Sequence, residues 1–341
     1  MRLTVLRVFN AALLMSALGI AAGNGDIRLA EAARRGDRVE IRSLLSQQAD
    51  VNAAEPDGST PLDWAVQNHD IETVKLLIGA GADPQRTNRY GVSPLYLAVK
   101  VGDAAMVTTL LDAGADPNAP AIEGELPLQT AARAGDLESV KALTAHGANV
   151  NAKEAWRGQM ALMWAVAENH PEVARFLIAH GADVHARSNP SQGGAAGVQT
   201  PQIFSPAGGF TALLFAVREG HSECVSLLLE SGADANETLG NGVSALVLAV
   251  MNGDYELAAF LLDKGADPNA AGAGWTALHQ LVWTRNPNRH FNVPPAIPTG
   301  HISSMDLARA LLAHNADVNA RITREPRDGF RNWMARVGLF R

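Results

Sequence analysis

The tripeptide Gly-Ala-Asp, or a near copy, returns along this chain at Gly81, Gly114, Gly147, Gly181, Gly232 and Gly265, and Asn315-Ala316-Asp317 closes the series. Successive intervals are 33, 33, 34, 51, 33 and 50 residues. A fixed period of this length means one supersecondary unit used repeatedly, each copy too small to bury its apolar face without a neighbour. A second glycine keeps the same period at Gly58, Gly91, Gly124, Gly158, Gly209, Gly242 and Gly274. Four residues after each stands a leucine: Leu62, Leu95, Leu128, Leu162, Leu213, Leu246 and Leu278. The two long intervals mark insertions, at about 188–208 and 286–301, in an otherwise regular array.

The unit over residues 57–89 shows what the period encodes. Asp57-Gly58 is a turn, Thr60 an N-cap, and Pro61 suits the first helical position, where its missing N–H costs nothing. Leu62, Trp64, Ala65 and Val66 give a short apolar helix, which Asn68-His69-Asp70 interrupts. Ile71, Val74, Leu76, Leu77 and Ile78 give a second helix, ended by Gly81 in a left-handed conformation. Asp83-Pro84 then leads out to the next turn. The unit is a helix–turn–helix followed by a projecting hairpin. Small residues at Ala65, Ala98, Ala131, Ala165, Ala216 and Ala249 let neighbouring helix pairs approach closely.

These residues resemble the ankyrin repeat. The family's Thr-Pro-Leu-His-x-Ala core stands as Thr60-Pro61-Leu62-Asp63-Trp64-Ala65, as Ser93-Pro94-Leu95-Tyr96-Leu97-Ala98 and, in part, as Thr276-Ala277-Leu278-His279. Its Leu-Leu-x-x-Gly-Ala-Asp-x-Asn ending is almost intact at Leu111–Asn118, Leu228–Asn236 and Leu262–Asn269. The resemblance covers residues 26–320 as eight units and implies an all-α solenoid of helix pairs with projecting β-hairpin fingers. It departs from the pattern where Ala161, Ala212, Ala245 and Ala277 replace the Pro, and where only His279 keeps the motif's His. It also implies protein binding in general, and names no partner.

The chain starts with Arg2 and Arg7, runs through an apolar stretch over residues 9–20, and follows with Ala21-Ala22-Gly23. A basic start, about a dozen apolar residues and a small-residue exit predict a secretory signal peptide over residues 1–22, too short to span a bilayer. Export to a periplasm or the medium follows, with no membrane span after cleavage. The single Cys224 excludes an internal disulfide framework and any zinc site that needs two thiolates. A net charge of −7 argues against binding nucleic acid through overall charge.

The first insertion is rich in Gly, Pro, Ser and Gln, and reads as a flexible loop or as a contact loop led by Ile203-Phe204. The second carries Pro287, Pro294, Pro295 and Pro298 between the helices of the eighth unit, and reads as a passive loop or a semi-rigid contact element. Residues 321–341 hold six Arg against Glu325 and Asp328. There Phe330, Trp333, Met334 and Val337 fall on one helical stripe. That tail reads as a terminal cap, as a basic amphipathic helix, or as the start of a further unit.

Candidate chemistry is thin. Cys224 aligns with Val173, an apolar packing position. The ten His are scattered, no His-Glu-x-x-His stands in the chain, and no catalytic, cofactor or metal residue is predicted. One pattern remains. The last turn of each first helix holds Arg34, Gln67, Lys100, Arg133, Ala167, Arg218 and Met251, so four of seven positions are basic in an acidic chain. Near the turn glycines stand the aromatics Tyr90, Trp156, Phe210 and Trp275. Exposed Arg and aromatic side chains are common interface hot spots. The expected function is a monomeric, non-enzymatic protein-binding scaffold with a basic groove and aromatic finger tips, suited to an acidic protein surface. An inhibitor or immunity-type protein that plugs an enzyme with an inserted loop is the alternative.

Overall fold

The structure is a computed structural model that describes residues 26–121, 124–189, 209–285 and 298–323. The predicted signal peptide, the centres of both insertions with Ile203 and Phe204, and the tail beyond Thr323 lie outside the described residues.

The described residues form eight helix pairs. They are α1 (Arg28–Arg35) with α2 (Arg38–Ser46), α3 (Pro61–Gln67) with α4 (Ile71–Gly79), α5 (Pro94–Val101) with α6 (Ala104–Asp112), and α7 (Pro127–Ala134) with α8 (Leu137–Ala145). Then come α9 (Ala161–Ala167) with α10 (Pro171–Ala179), α11 (Ala212–Glu219) with α12 (Ser222–Glu230), α13 (Ala245–Asn252) with α14 (Tyr255–Asp263), and α15 (Ala277–Arg285) with α16 (Ser304–Ala313). The chain divides into two compact units, one of Met1–Ile122 with Lys141–Gly147, the other of Glu123–Val140 with Ala148–Arg341. In the first, α1, α3 and α5 stack in one row, and α4 packs on α6. In the second, α7, α9, α11, α13 and α15 form the row, with α10 on α12 and α14 on α16 behind it.

Caps fix the helix ends. Thr60 and Asp63 form a reciprocal capping box on α3, and Ser93, Thr211, Ser244 and Ser303 accept the N3 amide of α5, α11, α13 and α16. Asp37, Asp70, Asp103 and Asp254 do the same for second helices. Between paired helices a residue at positive φ reverses the chain, glycine at Gly36, Gly102, Gly135, Gly220 and Gly253, but His69 and Asn169 in two pairs. The core is aliphatic: Leu77, Leu110, Leu143, Leu177, Leu228 and Leu261 are fully buried, each worth about 1.5–3 kcal/mol.

The projecting segments are tighter than hairpins with strands. Their turns close on short-range backbone bonds, such as Glu55 N–H to Ser59 C=O at 2.9 Å with Gly58 N–H to Glu55 C=O at 2.8 Å, or Leu239 N–H to Val243 C=O at 2.8 Å with Gly242 N–H to Leu239 C=O at 2.8 Å. Among the described residues the only antiparallel bridge is Thr238 with Ser244. Neighbouring turns are tied instead by single bonds, Arg89 N–H to Asp57 C=O at 2.9 Å and Asn189 N–H to Arg157 C=O at 2.7 Å.

The repeated Asp residues build these exits. The carboxylates of Asp83, Asp116, Asp183, Asp234 and Asp267 each accept the amide two residues on. The Asn of the repeated ending clamps the following pair. Asn236 Nδ2 donates to Gly265 C=O at 3.2 Å, while its Oδ1 accepts from Asp267 N–H at 2.7 Å. Asn52, Asn151 and Asn269 make the same two bonds to Gly81 and Asp83, to Gly181 and Asp183, and to Asn315 and Asp317. The first insertion rises from a pinned base: Ser188 N–H donates to Phe210 C=O at 2.9 Å, and Phe210 N–H returns a bond to Ser188 Oγ at 3.0 Å.

Candidate partner-binding surface

The basic residues at the ends of the first helices are seated in stacks. In the first unit, the Arg34 guanidinium lies 5.8 Å from the ring centre of Trp64 on the next first helix, and its Nε is 3.7 Å from Glu55. In the second unit, Arg133 lies 5.1 Å from Trp164 and 2.8 Å from Glu125. Arg218 lies 4.9 Å from Phe215, 5.3 Å from Phe210 and 2.6 Å from Glu219. Each arginine is thus a plate over a ring with a carboxylate beside it, and little net positive charge is left to offer a partner. Lys100 differs: it is exposed, and no carboxylate of a described residue pairs with it. Of the other residues in this column, Gln67 is exposed and Met251 is buried.

The four aromatics separate into two classes. Tyr90 and Trp156 are 63% and 69% exposed. Phe210 and Trp275 are 7% and 4% exposed, so their expected place at exposed finger tips is corrected. The reason is register. Both follow the turn glycine and precede the N-cap, the position whose side chain folds back over the helix start as a hydrophobic staple. Val243 holds the same position and is fully buried. Phe210 packs on Phe215 with ring centres 4.9 Å apart, and the Trp275 indole N–H donates to Gln280 at 3.0 Å. Tyr90 and Trp156 precede their glycines and face outward.

Trp156 stands on a built turn. The buried carboxylate of Glu154 accepts the amides of Trp156 at 2.7 Å, Arg157 at 2.6 Å and Gln159 at 3.2 Å. These bonds fix the backbone beneath an exposed ring. The Arg157 guanidinium then lies 4.3 Å from the Trp156 ring centre, and no described carboxylate forms an ion pair with it. Arg157 and Glu154 escape a motif search, yet the period marks them. The interval from Gly147 to Gly181 is 34 residues rather than 33, and the extra residue lies in this turn, where Gly158 follows Asn151 by seven positions and Gly58 follows Asn52 by six.

The scattered polar groups have structural work. His170 Nε2 lies 3.1 Å from Arg133 C=O, and His221 Nδ1 lies 2.8 Å from Val166 C=O, each tying an inter-helix break to the preceding first helix. His279 bonds Thr276 through Nδ1 and Ala320 C=O through Nε2 at 3.1 Å. Cys224 is fully buried, and burial pushes its thiol up to about 11. Among the described residues no group of three or more His, Cys, Asp or Glu is arranged to hold a metal, and no helix is long and apolar enough to cross a membrane.

A family model for ankyrin repeats, three copies long, matches residues 10–88, 29–121, 95–188, 193–272 and 213–290. The chain belongs to the ankyrin-repeat family. No curated protein matches it. Membership gives the chain a fold whose general use is protein–protein interaction.

Proposed function

We propose that the protein is a non-enzymatic binding scaffold whose principal contact is the Trp156–Arg157 tip. The observation that carries this reading is a 69% exposed tryptophan on a turn held by three bonds to one carboxylate. An aromatic side chain fixed before contact loses little entropy on binding, which is why such residues dominate interface energetics. Arg157 adds a cation with no described carboxylate to satisfy it, so the partner surface that fits is an apolar recess with an acidic rim. In the first unit, exposed Tyr90 and Lys100 are the corresponding candidates. Arg34, Arg133 and Arg218 contribute flat stacked surface rather than charge.

The basic, apolar and small-residue start supports an exported protein acting in a periplasm or beyond. The test is affinity capture from an envelope extract with the parent chain, with Trp156→Ala and with Arg157→Glu. A species held by the parent and lost with both variants bears the reading out. The same species held equally by all three overturns the tip.

A further inference from the structure

The projecting segments of the second unit sort their charges by sign. Over residues 151–159, 185–189, 236–243 and 269–275 the exposed cations are Lys153, Arg157 and Arg187, with His185 exposed two positions before Arg187. The acids in these segments are Glu154 and Glu237, and both are buried. Glu154 is spent on three amides of its own turn, and Glu237 accepts the Thr211 hydroxyl. Burial pushes the Glu237 carboxyl above its ordinary range. At the foot of the Trp156 segment Asn149 takes the place of the repeated Asp, which the next three segments keep as Asp183, Asp234 and Asp267. An acidic chain thus presents a basic edge around Trp156.

Neutral acceptors hold these cations. Lys153 Nζ donates to Arg187 C=O at 2.8 Å, and Arg187 Nη1 donates to Gly209 C=O at 2.8 Å and Thr238 C=O at 2.9 Å. Arg157 lies on the Trp156 ring, and its own C=O accepts from Asn189 N–H at 2.7 Å. No carboxylate of a described residue forms an ion pair with Lys153, Arg157 or Arg187. A carbonyl or a ring orients a cation without cancelling its charge, so the row keeps its attraction for carboxylates and loses little freedom on binding. The segments lead into α9, α11 and α13, which pack in one row, so successive segments follow each other at about the 8–10 Å of packed helices. A β-strand presents one face every second residue, at about 7 Å. A polyproline-II segment presents the same side every third residue, at about 9 Å, and its prolines pack on exposed rings.

We propose that this edge binds an acidic, proline-rich segment of the partner in the polyproline-II conformation, with carboxylates three residues apart on Arg157 and Arg187 and a proline against Trp156. The proposal rests on the Trp156–Arg157 reading and supplies the chemistry of its acidic rim.

Calorimetry on the full chain tests this with three synthetic peptides: four Glu-Pro-Pro repeats, four Gln-Pro-Pro repeats, and the first composition with its Glu residues in one block. The Glu repeat should bind the parent at least tenfold tighter than either other peptide. Its affinity should fall at least tenfold in Arg157→Gln and in Arg187→Gln, with thermal melts checking the fold. Arg157→Gln keeps the test sound where Arg187→Gln unsettles the segments that Arg187 ties, because the Arg157 side chain makes no hydrogen bond to a described residue. No binding of the Glu repeat, or equal affinity for the Glu and Gln repeats, overturns the acidic segment, while the tip itself stands or falls by capture with Trp156→Ala. Equal affinity for the repeat and the blocked peptide overturns the polyproline-II register, because any polyanion, a sulfated polysaccharide included, then suffices.

Discussion

Asp63 stands where the ankyrin motif has its histidine, and it does only half of that residue's work. His279 bonds the N-cap Thr276 with one nitrogen and the following turn with the other. Gln129 likewise accepts from Leu126 N–H and donates to Ala152 and Gln159 carbonyls. The Asp63 carboxylate accepts from Thr60 N–H at 2.7 Å and Oγ1 at 2.9 Å, but it is too short to reach onward, and its Oδ1 is buried with no partner. Burial therefore outweighs the Thr60 bonds and raises the carboxyl to about 6. The folded value lies above that of an unfolded chain, so the stability tied to this proton is present below pH about 4 and lost as the pH rises through about 6. Thermal melts at pH 5 and pH 7.5 should show the parent losing more stability across that range than Asp63→Asn. Asp63→His should raise the melting point at pH 7.5 by supplying the missing donor, worth about 1 kcal/mol. A flat or inverted difference would contradict the assignment. Asp70 runs the other way. Burial opposes its charge, but bonds from Arg38 and Thr73 prevail and hold it at about 2, so its contribution is present above pH about 4 and lost as the pH falls through about 2. The same scale explains the aromatic split. A composition of Tyr, Trp and Phe near glycines looks uniform in sequence, but one step in register decides whether a ring is a staple or a tip. Phe210→Ala should cost about 3–5 kcal/mol in chemical denaturation. Trp156→Ala should change stability by less than about 0.5 kcal/mol.

At the scale of the helix pair, the clamp between turns is the element most visible in the sequence and least expected in its purpose. The Gly-Ala-Asp-x-Asn ending gives the period, the helix stop and the Asx turn by inspection. That the Asn reaches the next pair, as Asn236 does to Gly265 and Asp267, follows only from the stacking distance. Asn236→Ala should lower stability by about 1–3 kcal/mol, because it leaves a turn amide and a carbonyl without partners, and equilibrium unfolding in urea measures it. The helix ends were equally legible, since Thr60, Ser93, Thr211 and Ser244 announce themselves one residue before each first helix. Strands in the fingers were not. Such short turns leave no room for a ladder, and they close on backbone bonds within the turn. The reversal between helices is also partly hidden: His69 and Asn169 take positive φ where five other pairs use glycine. His69→Gly should therefore be neutral or stabilising, by up to about 1 kcal/mol in the same urea experiment.

Across the whole molecule, stability in each unit accrues pair by pair, so local changes such as Asn236→Ala should soften neighbours more than distant pairs. Fold class was readable from the period together with the resemblance that its motifs carry, because a stack of small identical layers repeats its own constraints. The binding surface was readable only in part. Basic residues at the ends of the first helices are conspicuous in an acidic chain, yet Arg34 and Arg133 meet rings of the next first helix that only the folded stack brings to them, and Arg218 meets Glu219 and Phe215 of its own helix. The Trp156–Arg157 tip depends on one extra residue in a single turn and on a glutamate below it, and neither belongs to any motif. That tip is the centre of the functional account, and a partner recovered by the parent chain puts it to the test. Its affinity should be measured by calorimetry for the parent and for Trp156→Ala, with thermal melts confirming equal folding. The account predicts at least thirtyfold weaker binding for Trp156→Ala, about 2 kcal/mol, the level of an interface hot spot. Equal affinity in the two proteins would contradict it.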